Sequence, residues 1–326
     1  MDYEEFLKEW NSNSPTLTVR TSGSTGEPKP MLVEKQRMQN SARITCSYLG
    51  LSAGDTALLC LPLDYIAGKM MVVRALTCGM RLLVVEPSGK PEWEEPVDLA
   101  AMVPLQVLNL LHDERGRQRL MTVRHLIIGG GAIDKDLQEQ LRDFPNQVWS
   151  TYGMTETLSH IALRRLNGPQ RSDWYTPFEG VQVSLGEDDC LVINAPAVCD
   201  SLLHTHDIAQ LDGQRFRILG RSDNVVCSGG VKIQIEEVER LLRPHIREPY
   251  LITSLPDKRL GETVVLLTTT TPTKQLKELC HEVLPRYCCP TRYITVDHIP
   301  QTATGKPARA EARQMAKAHS GDYPSL

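Results

Sequence analysis

The sequence predicts an α/β protein with a second, smaller α+β domain at its C-terminal end. Through the first two thirds of the 326 residues, short apolar runs alternate with longer mixed segments. That is the pattern of parallel β-α units with helices covering the sheet. Beyond Gly220 the texture changes to a Gly pair, an amphipathic helix and separate strands, a stretch of ordinary domain size. A chain of this length also exceeds what one compact core usually spans. The expected division is residues 1–220 and 221–326.

The expected strands of the first part are Thr16–Thr21, Thr56–Leu61, Arg81–Val85, Arg124–Ile128 and Gln147–Thr151. Helices are expected between them at Glu34–Leu49, Ala67–Cys78, Pro104–Leu111 and Asp134–Asp143. After Phe178 come Val181–Leu185, Cys190–Ile193, Ile208–Leu211 and Arg215–Leu219, separated by turn residues such as Asp212-Gly213. These read as a small antiparallel sheet or barrel wall. The C-terminal part should hold a helix over Ile235–Leu242, strands at Tyr250–Ser254 and Thr263–Thr270, a helix over Lys274–Leu284 and a strand at Tyr293–Val296.

A net charge of −4 and a pI of about 6.2 exclude a polybasic surface for nucleic acid or membrane. The nine cysteines contain no C-x-x-C pair and lie scattered in apolar runs, so reduced, mostly buried thiols are expected rather than a zinc site. The longest apolar stretches are too short to span a bilayer, and the opening residues do not form a signal peptide. The expectation is a cytoplasmic protein with no nucleic-acid partner, compatible with a homo-oligomer.

Five segments carry chemistry. Thr21-Ser22-Gly23-Ser24-Thr25-Gly26-Glu27-Pro28-Lys29 follows a strand and offers hydroxyls, free N–H groups, two glycines and a cation, a combination suited to a polyphosphate. It is not a Walker P-loop, because Lys29 lies between two prolines. Gly129-Gly130-Gly131 closes another strand, where the backbone must turn sharply or approach something closely. Tyr152-Gly153-Met154-Thr155-Glu156 supplies a ring to stack, a hydroxyl for phosphate and a carboxylate for Mg²⁺. Asp207 can accept two hydrogen bonds from a ribose diol, and Arg221 can donate to hydroxyl or phosphate oxygens. His204 and His206 could hold a metal only if a third ligand converged on them. Lys306 stands in a Gly- and Pro-flanked loop, where a solvated surface lysine is the simpler reading.

Taken together and in this order, these segments resemble the adenylate-forming superfamily of acyl-CoA ligases, luciferases and amino-acid-activating domains, from about Thr21 to Arg309. The resemblance implies that Ser22, Gly23, Ser24, Thr25, Gly26 and Lys29 cradle the β- and γ-phosphates of ATP. Gly129, Gly130, Gly131 and Tyr152 would enclose the adenine, with Gly153 beside them and Thr155 near the α-phosphate. Glu156 would hold Mg²⁺, and Asp207 with Arg221 the ribose. Lys306 would be the catalytic lysine, bridging the carboxylate and the α-phosphate during adenylation. Asp223 would be the hinge of a mobile C-terminal domain. Ser228, Gly229, Gly230 and Lys232 would line the coenzyme A side once that domain turns.

Within the superfamily, Leu61-Pro62-Leu63-Asp64-Tyr65-Ile66-Ala67-Gly68-Lys69, the Tyr152 segment and Ser228-Gly229-Gly230-Val231-Lys232 are similar to the o-succinylbenzoate–CoA ligases of menaquinone synthesis. That resemblance implies a small-molecule carboxylic acid, ATP and coenzyme A as substrates. The second carboxylate of such an acid needs a cation, and Lys69 or Arg74 is the candidate, against the alternative of a solvated helix face. Tyr65 and Ser159 complete the expected acid-binding set. Other readings are a ligase for an aryl, fatty or amino acid, or a non-catalytic nucleotide-binding relative. The sequence departs from the family in starting its phosphate loop at residue 21, which implies an abridged first subdomain. It also carries Asp64-Tyr65 where an aromatic and His are usual, and His206 where Gly is common.

Overall fold

A computed structural model describes residues 1–20, 30–302 and 306–319. Helix α1 (Tyr3–Trp10) is started by Asp2, whose carboxylate caps Glu5 N–H while the Glu5 side chain returns to the Asp2 N–H, a reciprocal capping box. Strands β1 (Thr16–Arg20) and β2 (Pro30–Glu34) form an antiparallel ribbon. Helix α2 (Lys35–Leu49) follows and stops at Gly50, whose φ of 64° provides the left-handed cap.

The central sheet contains β3 (Thr56–Leu59), β4 (Arg81–Val84), β5 (Val97–Met102), β6 (Val123–Ile128), β7 (Gln147–Gly153), β8 (His160–Arg165) and β9 (Thr176–Pro177), in the order β4-β3-β5-β6-β7-β8-β9. Its first five members are parallel, and β8 and β9 are antiparallel additions. Helices α3 (Ile66–Cys78), α4 (Pro104–Leu111), α5 (Glu114–Met121) and α6 (Lys135–Leu141) connect the strands. Successive strand residues point to opposite faces. Ala57, Leu59, Leu99 and Ile127 therefore enter one core with α1, α2 and α3. Leu58, Ala100, Leu126 and Ile128 enter a second core with α4, α5 and α6.

An antiparallel sheet of β10 (Gln182–Leu185), β11 (Cys190–Asn194), β12 (Leu203–Asp212) and β13 (Arg215–Arg221) adds Val183, Leu191, Ile193, Ala209 and Phe216 to the first core. Strand β13 runs through Gly220 to Arg221, and the short 3₁₀ turn Ser222–Asn224 comes after it.

The remaining elements are β14 (Val225–Ser228), β15 (Val231–Gln234), α7 (Ile235–Leu242), β16 (Tyr250–Asp257), β17 (Gly261–Thr268), α8 (Lys274–Val283), β18 (Arg292–Thr295) and α9 (Arg309–Ala318). β14 to β17 pair antiparallel in the order β15-β14-β17-β16, and β18 joins β17 in parallel. Two further cores, under α7 and α8 and under α9, draw their buried residues from positions 226 to 316. Gly229 and Gly230 form the two-residue β14–β15 turn with φ of 58° and 82°, as a primed hairpin turn requires.

The structure agrees with the expected alternation of parallel strands and helices, and it adds elements. α1, β2, β5, α5, β8, β9, β14, β15 and α9 were not among the expected elements. α5 is polar and contains Gly116. It is held by the Asp113 cap on Gly116 N–H and by Arg119 donating to Trp93 C=O at 2.8 Å. Those anchors lie outside its own periodicity. No helix is long and apolar enough to cross a membrane among the described residues.

Candidate active site

The C-terminal ends of β6 and β7 and the β12–β13 pair bring the site together. At the end of β6, a Cβ on Gly129 would lie 2.1 Å from Thr151 Oγ1, and Gly130 has φ of 78°. The close approach that this glycine run implies is therefore to the chain itself at Gly129, and the sharp turn is at Gly130. At the end of β7, a Cβ on Gly153 would meet Ser159 C=O at 2.3 Å. That tight packing seats the 3₁₀ turn Thr155–Thr157, with Thr155 buried and Glu156 exposed. Thr157 Oγ1 accepts from Met154 N–H and donates to Ser159 C=O, which closes the turn.

Asp207 and Arg221 are direct register partners across β12 and β13. Arg221 Nη1 donates to Asp207 Oδ1 at 3.2 Å, and the Tyr152 hydroxyl donates to Asp207 Oδ2 at 2.6 Å. Burial and the Asp207 charge push the Tyr152 phenol well above its ordinary value, so it remains a donor. The Tyr152 ring packs against Tyr175 and Phe216 at centroid distances of 5.8 and 5.0 Å. The other edge of Arg221 donates two bonds, 2.8 and 2.6 Å, to the Asp223 carboxylate. That fork holds the Asp223 carboxyl below its usual range and raises the guanidinium pKa.

Lys306, in the C-terminal part, feels the charges of the same pair. Its loop is pinned by Thr302 N–H donating to Lys306 C=O at 2.7 Å and Lys306 N–H donating to Thr302 Oγ1 at 3.1 Å. Burial lowers the ammonium pKa, the charge of Arg221 lowers it further, and Asp207 offsets part of the shift. Arg243, just after α7, reaches Asp134 at the start of α6 at 3.3 Å. Ser228 is buried at the end of β14, and Lys232 is exposed on β15.

The two candidate acid-binding cations separate. Both Lys69 and Arg74 are buried, at 3% and 2% exposure, which overturns the solvated-face alternative. Lys69 turns toward α1, with Nζ 3.2 Å from Met1 Sδ and 5.2 Å from the Phe6 ring centroid. Arg74 faces β8, where Nη2 donates to Ser159 Oγ at 2.5 Å and Nη1 meets Met71 Sδ at 3.6 Å. Its buried Nε has no hydrogen-bond partner, and it makes no salt bridge to a carboxylate among the described residues. Burial pushes the guanidinium pKa down to about 10, and Cys46 and Cys78 offset a smaller part of that shift. Tyr65 is half-buried and forms the cap before α3.

Ser22, Gly23, Ser24, Thr25, Gly26 and Lys29 lie outside the described residues, on the segment joining β1 to β2. His160, next to Ser159 and in the same buried network as Arg74, was missed by sequence reasoning. A single histidine on an apolar strand gives no sequence signal that separates it from core. Among the described residues, no group of three His, Cys, Asp or Glu could hold a metal. Mg²⁺ is usually held by one or two carboxylates plus substrate phosphates, and the exposed Glu156 fits that donor set.

These features define an AMP-forming ligase, and the chain belongs to the AMP-binding enzyme family, which matches residues 4–241. A curated relative, 2-succinylbenzoate–CoA ligase of Bacillus cereus (strain Q1), is 25% identical over 96% of this chain and 73% of its own length. An acyl-CoA synthetase (AMP-forming)/AMP-acid ligase II-like protein from Dyadobacter fermentans is 32% identical. That alignment covers 93% of this chain and 90% of the other, with a TM-score of 0.64. O-succinylbenzoate coenzyme A synthetase from Bacillus subtilis, in complex with ATP and magnesium ion, shares the fold at a TM-score of 0.74. It is 23% identical over 90% of this chain and 68% of that one.

Proposed function

We propose that the chain joins o-succinylbenzoate to coenzyme A with ATP, through an acyl-adenylate and with release of pyrophosphate and AMP. The observation that carries the substrate is Arg74, a buried guanidinium without a carboxylate partner among the described residues. A buried cation of that kind is completed by an anion. A diacid activated at one carboxylate supplies the other. The name of the Bacillus cereus relative supports the same substrate.

In this reading the acid carboxylate attacks the α-phosphorus of ATP while Lys306 neutralises the charge that builds between them. Positioning and preorganised charge do most of the work. Asp207 retains acceptor capacity for the ribose beside its bonds to Tyr152 and Arg221. Ser22, Gly23, Ser24, Thr25, Gly26 and Lys29 are assigned to the β- and γ-phosphates from sequence, and Gly129, Gly130, Gly131, Gly153 and Thr155 to the nucleotide. Glu156 would hold Mg²⁺, which supplies charge neutralisation on the phosphates when bound. Tyr65 and Ser159 would contact the acid, whereas Lys69, committed to α1, becomes the weaker anchor.

Residues 1–220 and 221–326 form the two proposed domains, with Asp223 as the swivel. After adenylation the second domain turns, and the Ser228-Gly229-Gly230 turn with Lys232 meets the coenzyme A thiol. The test is carboxylate-dependent pyrophosphate release across an acid panel. Release with o-succinylbenzoate, followed by coenzyme A-dependent thioester, is expected. Release only with a plain aryl or fatty acid would replace the substrate, and ATP binding without release would remove the ligase reading.

A further inference from the structure

Arg74 has a hydrogen-bonded tether whose direction follows from the chemistry of its members. Arginine can only donate, so Ser159 Oγ accepts from Arg74 Nη2. The hydroxyl proton of Ser159 is then directed to His160 Nδ1, 3.2 Å away. An Nδ1 that accepts leaves the ring proton on Nε2, which faces Thr45 Oγ1 at 3.2 Å. Thr45 passes its own proton to Ser41 C=O at 3.1 Å. The chain runs one way, from guanidinium to helix carbonyl, through α3, β8 and α2. The opposite tautomer would make Ser159 Oγ accept from both neighbours and leave its proton without an acceptor among the described residues. An imidazolium would do the same.

His160 is buried, at 8% exposure, with its ring against the Phe178 edge at 5.4 Å. Burial first, and the neighbouring Arg74 second, hold its pKa well below the ordinary histidine value, which keeps it neutral. The anchoring cation is therefore tied to a serine whose acceptor, among the described residues, is His160 Nδ1.

We propose that His160, through its accepting Nδ1, is a positioning residue that fixes the Ser159 hydroxyl and with it the Arg74 guanidinium for the second carboxylate of the acid substrate. This rests on the reading of Arg74 as the carboxylate anchor. His160 touches no substrate in this arrangement and acts only through Ser159.

The test uses two variants that divide the ring's functions. Asn places an acceptor where Nδ1 stands, whereas Gln places its donor where Nε2 stands. His160→Gln is expected to raise KM for o-succinylbenzoate by about tenfold, the effect of one lost charge-linked hydrogen bond. KM for ATP, and KM for 3-benzoylpropionate, which lacks the ring carboxylate, stay unchanged. His160→Asn stays within about threefold of the parent. Should His160→Gln fail to fold, Thr45→Val keeps the ring and removes the Nε2 acceptor, and it is expected to raise the same KM selectively. Equal effects of Asn and Gln, or equal effects on both acids, would overturn the positioning role. Arg74→Met separates the two readings. If it fails to discriminate between the acids, the anchor falls and this proposal with it. If it discriminates while His160→Gln and Thr45→Val do not, only this proposal falls.

Discussion

Replacing Arg74 by Met should weaken acid binding and at the same time make the unliganded protein more stable. The guanidinium is buried, its Nε has no partner among the described residues, and burial holds its pKa down at about 10. A displacement of that size from the ordinary arginine value corresponds to about 3 kcal/mol against the charged form. That penalty is present at neutral pH, since both the folded and unfolded arginines are protonated below pH 10. Methionine is similar in length, apolar, and already common around the site, with Met70 and Met71 in the same core. Exchanging a poorly compensated buried charge for a well-packed apolar side chain typically stabilises by about 1–4 kcal/mol. Here the lower half of that range is expected, because Ser159 Oγ loses a donor. The melting temperature should rise by a few degrees, at about 2–4 °C per kcal/mol for a domain of this size. KM for o-succinylbenzoate should rise by about 30-fold or more, since losing one partner of a buried charge pair costs about 2–5 kcal/mol. Differential scanning fluorimetry with and without the acid, beside pyrophosphate-release kinetics, reads both. A variant that melts earlier and keeps its acid KM would show that Arg74 is structural and refute the anchor.

Lys306→Ala should lower adenylation by about 10²–10³-fold and leave thioester formation from supplied acyl-adenylate nearly intact, measured as separate half-reactions. Equal losses in both would give Lys306 another role. The adenylation rate should fall on the alkaline side as the ammonium loses its proton. Because burial and Arg221 lower that pKa, the fall begins below the pH at which a free lysine titrates, and Asp207→Asn, by removing the charge that raises it, moves the limb lower still. A pH profile unaffected by either change would detach the limb from Lys306. Gly153→Ala should abolish nucleotide-dependent activity, because its Cβ would lie 2.3 Å from Ser159 C=O and displace the turn that presents Thr155 and Glu156. Undiminished turnover would show that this turn tolerates rearrangement.

The parts of the fold legible in the sequence were those with a period of their own. Pro104–Leu111 and Ile235–Leu242 carry complete amphipathic patterns, and their expected limits coincide with the observed helices. Of the strands in the middle of the sheet, β3, β6 and β7 read as apolar runs, whereas β5, whose run Val97–Met102 is interrupted by Asp98, did not. The missed elements are held by partners outside their own period. β2 pairs with β1, and α5 hangs from Trp93 through Arg119. The Asp207–Arg221 pair was legible as two residue types fourteen positions apart, but their direct cross-strand register was not. The burial of Arg74 was invisible because a helix of high apolar content has no face that marks a lone arginine as interior. His160 was hidden for the converse reason, as one polar residue inside a strand that reads as core.

The pleat of the central sheet has a consequence for how this protein can be altered. Alternate residues of β3, β5 and β6 serve separate cores on its two faces. Arg74, Thr45 and His160 belong to elements packed on the first of these faces, together with α2 and α3. The opposite layer, under α4, α5 and α6, contains none of the acid-binding residues proposed above. The proposed acid-binding contacts therefore share a face with one core, and the other core lies a single strand thickness away. Repacking Val107, Leu110, Leu120 or Leu141 alters stability from the side remote from those contacts. Inserting one residue into β5 would exchange its two faces and disturb both cores at once.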